Sequence, residues 1–158
     1  MALAVQDGVQ VWQKVKQGLT GANPAAQNAF RVLREYLATQ GGNPQLQYIP
    51  YTAAQQVTNL GTSLVGGACT LYGWYAKGAR VSGTTAAFWA LHDAADNSAS
   101  TTTVDTAKSK VTGDQLAVIH PQGVAMATDV VISSATSVGG ATESAAADAS
   151  NGFVLVGA

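Results

Sequence analysis

Residues Ala68–Lys77, ACTLYGWYAK, form the densest strand-like run in the chain. Cys69, Leu71, Gly73 and Tyr75 fall on one face at period two, with Thr70, Tyr72 and Trp74 on the other. That is the repeat of a β-strand, not of a helix. Gly66-Gly67 stands before the run and Gly78 closes it. Other short runs follow the same pattern: Gln56–Val65, Ala86–His92 (AAFWALH), Gln115–His120 (QLAVIH, stopped by Pro121), Thr128–Ser134 (TDVVISS) and Gly152–Gly157 (GFVLVG). Turn-forming pairs separate them, among them Ser82-Gly83, Asp96-Asn97, Gly113-Asp114, Gln122-Gly123, Gly139-Gly140 and Asn151-Gly152. Six or seven short strands with little helical signal between them predict an antiparallel β-sandwich, jelly-roll-like, over residues 51–158. Two long connections, 93–113 and 134–151, are rich in Ala, Ser, Thr and Asp. Loops of that length in a small domain are functional or mobile.

Residues 1–50 read differently and are assigned to an N-terminal arm and one amphipathic α-helix. The helix covers Pro24–Gln40. Asn23 suits the N-cap and Pro24 the first turn. Ala26, Ala29, Phe30, Leu33, Tyr36 and Leu37 recur at helical spacing, and Arg31, Arg34 and Glu35 fall mainly off that stripe. Gly41-Gly42 and Pro44 supply the stop. The preceding segment supports two readings, an extended arm or a short helix. Val9, Val11 and Val15 alternate with polar residues as in a strand, while Val5, Val9, Trp12 and Leu19 fit a helical face. Basic residues divide four and four between 1–50 and 51–158, so they do not separate the two parts.

Composition excludes several classes. The chain has 158 residues, a net charge of −1 and only 11% charged residues, with 47% hydrophobic ones. A near-neutral chain lacks the basic field of a nucleic-acid binder. The apolar content argues against disorder driven by charge. One cysteine, Cys69, forms no disulfide framework and no multi-cysteine zinc site. Apolar runs fall well short of the roughly 18 residues of a membrane span. The short apolar start meets Asp7 and predicts no secretory signal.

Chemistry-bearing motifs are sparse. His92-Asp93 would suggest part of a triad, but neighbours on a strand point to opposite faces, and no G-x-S-x-G turn supplies a nucleophile. His92, His120 and Cys69 lack the close pairing of zinc ligands. Asp93, Asp96 and Asn97 do not complete a calcium loop. The Gly-Gly pairs form no phosphate-binding loop. The expectation is therefore no enzyme, no cofactor and no metal. Tyr72, Trp74 and Trp89 are either core or a ligand surface.

So little charge on a small chain points to surface shared with other subunits. The candidates for that surface are Val9, Val11, Trp12 and Val15 of the arm and Phe30, Leu33 and Leu37 of the helix. From Leu71 to Val156, the runs LYGWYAKG (71–78) and AAFWALHD (86–93), the Ala/Thr/Ser-rich loops and the closing GFVLVGA (152–158) resemble small structural proteins of tailed bacteriophages, the head decoration or cement proteins. The resemblance implies a jelly-roll-like domain, a symmetric oligomer (commonly a homotrimer), and an arm clamping the major capsid protein or another virion protein. It implies a virion component assembled in the host cytoplasm, with no nucleic-acid or membrane partner. The alternative is a glycan- or receptor-binding jelly-roll module of a phage tail or head fibre that uses Tyr72, Trp74 and Trp89.

Overall fold

Strand β7, Ser150–Gly157, is paired on both edges and buried on both faces, and the layering of the molecule follows from it. Phe153 and Leu155 face a helical layer, whereas Val154 and Val156 face a second sheet. A continuous apolar run, rather than an alternating one, is what a strand between two covered faces requires. The computed structural model describes residues 8–40, 45–58, 61–78, 87–95, 102–109, 115–137 and 149–157.

Six further strands accompany β7: β1 Leu46–Tyr51, β2 Cys69–Gly78, β3 Ala87–Asp93, β4 Thr102–Ser109, β5 Gln115–Met126 and β6 Val130–Ala135. Three helices are described, α1 Gly8–Gly18, α2 Pro24–Thr39 and α3 Ala53–Val57. The strands make two antiparallel sheets, β1-β7-β2-β5 and β4-β3-β6. The molecule is mainly β and sandwich-like. The pairs β1·β7, β2·β5 and β3·β4 nest inside one another along the chain. Pairs β2·β7 and β3·β6 join that nest into two sheets.

Helix α2 forms where the Asn23–Pro24 signal places it. The Asn23 side chain accepts from Ala26 N at 2.8 Å, and Ala26, Phe30, Leu33 and Leu37 are buried. The expected Gly41-Gly42 stop lies outside the described residues, as do the turns at Ser82-Gly83, Asp96-Asn97, Gly113-Asp114 and Gly139-Gly140.

The segment before α2 is the short helix of the two readings, not an extended arm. Its buried face is Val11, Val15 and Leu19, an i, i+4, i+8 stripe that strand-like valine spacing had obscured. The interface expectation changes with it. Val11, Val15, Phe30, Leu33 and Leu37 are buried against Leu46, Tyr75, Phe153 and Leu155 of this same chain, so the stripe that needed a cover has one. Trp12 is partly buried there, and Val9 remains exposed.

Four more elements depart from expectation. The described residues of Gln56–Val65, 56–58 and 61–65, are not a strand. Thr52 and Gln55 form a capping box that starts α3, since each side chain satisfies the other's backbone N–H. Residues 46–51, LQYIPY, form β1, so the sandwich begins before residue 51. Pro50 is tolerated because β1 is an edge strand. The Thr-rich stretch 102–109 is a strand inside what reads as a long loop. Strand β5 continues past Pro121, because residues 120–123 bulge out of the ladder: Gly73 aligns with Ile119 but Leu71 with Val124. Gly123, at φ 78°, supplies the left-handed conformation the return needs.

The Ala68–Lys77 run is a strand, but its faces are not those of simple alternation. Tyr72 is an extra residue opposite β7, where Leu71 pairs with Val156 and Gly73 with Leu155. The bulge reverses the facing of everything beyond it. Cys69, Leu71, Trp74 and Ala76 line the inter-sheet core, whereas Tyr72 and Tyr75 face the helices.

Candidate functional site

The polar side chains of the sandwich gather at three places. The first lies between the sheets on the β4–β5 side. Asp105 on β4 sends Oδ2 across to the other sheet, where it accepts from Trp74 Nε1 at 3.0 Å and lies 2.8 Å from His120 Nε2. His120 belongs to the β5 bulge, and that irregularity aims its ring at Asp105. Both side chains keep about a fifth of their surface exposed, 23% for His120 and 18% for Asp105. On β4 the register slips one residue at Val104, opposite the step from Leu91 to His92.

The second place is the β6 side. Gln56 of α3 is fully buried and spans both sheets. Its Nε2 donates to Ser133 O at 2.9 Å, while its Oε1 accepts from Ser150 N at 2.6 Å and from Ser150 Oγ at 2.9 Å. Ser150 Oγ is 2.9 Å from Tyr51 OH, which donates to Tyr75 O at 3.3 Å. Burial pushes the Tyr51 hydroxyl far above its ordinary range, so it stays a neutral donor. On β3, His92 links its two neighbouring strands: Nε2 to Ser133 Oγ at 2.8 Å and Nδ1 to Thr103 Oγ1 at 3.2 Å. Burial lowers the His92 pKa and keeps the ring neutral at pH 7.

The third place is one end of the sandwich. Asp93 accepts from Thr128 N at 2.8 Å, Ala127 N at 2.9 Å and Asp129 N at 3.4 Å. Burial works against its charge, but these N–H groups outweigh it and hold the carboxyl below its usual range. Asp129 then fixes the next segment. Its carboxylate accepts from Val65 N and Gly66 N, both at 3.1 Å, and from Ser63 Oγ. Cys69 is buried beside these carboxylates. Its thiol is pushed up to about 12, first by burial and then by the charges of Asp129 and Asp93, and it is inert as a nucleophile.

The sequence-expected residues are thus dispersed. His92 and Asp93 diverge: one joins strands, the other holds a turn. The Ser133–His92 contact has the distance of a nucleophile–base pair. A hydroxyl occupies the position of the orienting carboxylate, and His92 and Ser133 are 5% and 3% exposed, so the arrangement works as a strand-linking belt. His92, His120 and Cys69 do not converge, and among the described residues no three His, Cys, Asp or Glu side chains are placed to hold a metal ion. The ligand-surface expectation is corrected as well. Trp74 and Trp89 are 0% and 1% exposed and fill the inter-sheet core, and Tyr72 packs toward the helices. A bulge and a second sheet, neither visible in the alternation, turn these rings inward.

Sequence reasoning passed over Asp105, Asp129, Gln56, Ser133 and Thr103. Gln56 follows the Thr52–Gln55 capping box, a signal present in the sequence. Asp105 is a lone carboxylate in a Thr-rich run, and only its cross-sheet partners give it meaning. No family model, no curated protein and no solved structure matches this chain.

Proposed function

We propose that the chain is a non-enzymatic structural protein of a tailed-bacteriophage virion, a jelly-roll-like subunit that decorates and stabilises the capsid as a symmetric oligomer. The observation that carries this reading is the nested pairing β1·β7, β2·β5 and β3·β4. A jelly roll is a long antiparallel hairpin rolled into two sheets, so its strands pair in that nested way. Among the described strands only β6 lacks a nested partner, which would lie between β1 and β2. That stretch of chain runs beside β6, where Leu64 N donates to Val130 O at 3.0 Å. On this reading α3 and residues 61–68 stand in for one strand of a jelly roll, an architecture common in viral shells.

Two further features support the reading. Asp105, Gln56, His92, Asp93 and Asp129 are committed to joining strands, loops and sheets, which suits a part made to persist under load. The low charge of the chain suits a surface shared among copies. Fold alone does not assign function, so the test is made on particles. Gradient-purified virions are probed for the chain by mass spectrometry, and virions lacking its gene are heated beside wild type. The reading expects the chain at high, fixed copy number on heads, and heads that release DNA at lower temperature without it. Virions free of the chain overturn it.

A further inference from the structure

Strand β5 is an edge, bonded only to β2 among the described strands. Both its faces are covered, with Leu116 and Val118 between the sheets and Ala117 and Ile119 beneath the helices. Every residue from 115 to 121 nevertheless keeps part of its surface exposed. What stays open is the flank, with the N–H and C=O groups of every second residue. Edges are ordinarily blunted by proline, charge or a cover. Pro50 stands on β1, Asp105 and Lys108 on β4, and β6 is covered by Leu64 N on Val130 O and Gln56 Nε2 on Ser133 O. Residues 115–119 contain no proline and no charge, and the bulge and Pro121 come only after them.

Helix α2 lies over β2 and β5 and runs beside β5. Asn23 N donates to Gln115 Oε1 at 2.6 Å, and a Cβ on Gly73, which pairs with Ile119, would stand 3.2 Å from the Phe30 ring. Helix α1 lies over the other half of the sheet, with Gly18 against Tyr48 and Phe153. Arg34 beside the Trp12 ring, and Gln27 donating to the Leu19 and Ala22 carbonyls, mark the side of α2 that faces α1. The opposite side, above the β5 edge, carries Ala25, Ala29, Val32 and Tyr36, at i, i+4, i+7 and i+11. Ala25 is exposed there, and so is Val32, at 43%. Neither this stripe nor residues 115–121 contain Lys, Arg, Asp or Glu.

We propose that this flank pairs with the same flank of a second copy of the chain, β5 to β5 and α2 to α2, about a two-fold axis. This deepens the symmetric-oligomer part of the reading above and rests on that part alone. The face is its own complement. Strands related by a two-fold axis normal to the sheet are antiparallel, and directly opposed residues share a face. With the axis at Ala117, Leu116 meets Val118 between the sheets and Gln115 meets Ile119 beneath the helices. The same axis crosses α2 midway between Asn23 and Phe30 and brings Ala25 of one copy to Ala29 of the other. A helix above the β2–β5 pair stands about 5 Å from that axis, which sets the two helices about 10 Å apart, an ordinary packing distance. No like charges meet across the contact. A strand of another protein would pair with β5 but leave the α2 stripe bare, whereas a second copy covers both. A helix of 16 residues is about 24 Å long, and a helix on a sheet is about 20 Å deep. The area is on the order of 500 Å² a side, or about 1,000 Å² in total, the lower limit of a specific interface. The dimer is accordingly weak, and its register is set by the strand ladder.

The test is the mass of the full chain by sedimentation and light scattering, from about 1 to 500 µM. A monomer–dimer equilibrium is expected, not weakened between about 20 and 500 mM salt. The Ala25→Glu/Val32→Glu double variant should weaken it at least tenfold with unchanged thermal unfolding of the dilute chain, since both positions are exposed and Glu suits a helix. Val9→Glu, at the exposed valine of α1, should not weaken it. Hydrogen exchange should slow at alternate amides of residues 115–119 as the dimer fills, and should not slow in the double variant at the same concentration. A chain that stays monomeric throughout, or forms a trimer, overturns the proposal. So does a dimer that Val9→Glu weakens equally, or one whose 115–119 amides exchange as in the monomer. Each of those results leaves the virion reading in place, which fails only on particles.

Discussion

On one face the β1-β7-β2-β5 sheet meets Phe30, Leu33 and Leu37; on the other it meets Trp89, Leu91 and Ile132. The helical side is joined mainly by ring packing around Phe153, whose centroid lies 5.1 Å from Phe30, 4.7 Å from Tyr48 and 5.7 Å from Tyr75. Two long-range hydrogen bonds of this side lie at its rim, where Asn23 N and Tyr75 OH both donate to Gln115 Oε1. The sandwich side combines apolar packing with polar ties through it, Asp105 to Trp74 and His120 on one flank, Gln56 between Ser133 and Ser150 on the other. Apolar packing tolerates sliding, whereas satisfied buried hydrogen bonds fix spacing and register. The helices are thus held by shape, and the two sheets are held by shape and by position.

Removing the ring at the centre of the helical side is expected to do most damage. Phe153→Ala deletes a fully buried side chain shared by both helices' contacts and should cost about 3–5 kcal/mol, read as a lower urea midpoint. Loss of protection in α1 and α2 ahead of β3 and β6, measured by hydrogen exchange, checks that the two faces differ. Next comes Asp129→Ala, which leaves the N–H groups of Val65 and Gly66 without their acceptor. The expected cost is about 2–3 kcal/mol, with the deprotection confined to residues 61–68 and 127–130. A smaller effect is expected from Trp74→Phe and Asp105→Asn, about 1–2 kcal/mol each. Because the indole and carboxylate are partners, the double variant should cost less than the two singles together. Additive losses would show that Asp105 does not tie the sheets through Trp74.

The two faces also differ in how readily the sequence discloses them. The helical stripe of α2 is plain because Ala26, Phe30, Leu33 and Leu37 keep one period from cap to cap. The strands β2, β3 and β7 are legible as short apolar runs bounded by turn residues. What period two cannot disclose is a residue that breaks it. The extra Tyr72 moves Trp74 from one face to the other, and residues 120–123 carry β5 past a proline. β4 hides because Thr is common in both loops and strands, and β1 because its proline is harmless only on an edge. The polar ties are the least legible. Asp105 and Trp74 are 31 positions apart, and Gln56 and Ser150 are 94 apart, so no local pattern couples them. The burial of Val11 and Val15 is hidden in another way: their stripe shows that a cover is needed but not whether the cover is this chain's own sheet.

The mildest way to probe the sandwich side is with protons, and its sign can be worked out from burial. Neutral His92 both donates and accepts between Ser133 and Thr103, and burial disfavours its charged form, so its folded pKa lies below the value of about 6.5 in an unfolded chain. As pH falls below about 6.5 the unfolded chain takes up a proton that the folded chain resists. The His92 contribution is therefore complete above that pH and is lost on the way down toward the folded value. Asp93 acts in a separate window. Its folded pKa is lowered from 3.8, so the stability it adds is present above that value and is lost as pH falls further, through the folded pKa. Urea midpoints should be flat from about pH 8 to 7, decline as pH falls below about 6.5, and fall again below about pH 4. In His92→Gln, whose amide can still donate and accept but cannot titrate, the first decline should vanish while the acid fall remains. A first decline that survives the substitution would mean that another group, not the belt between Ser133 and Thr103, senses pH on this side of the molecule.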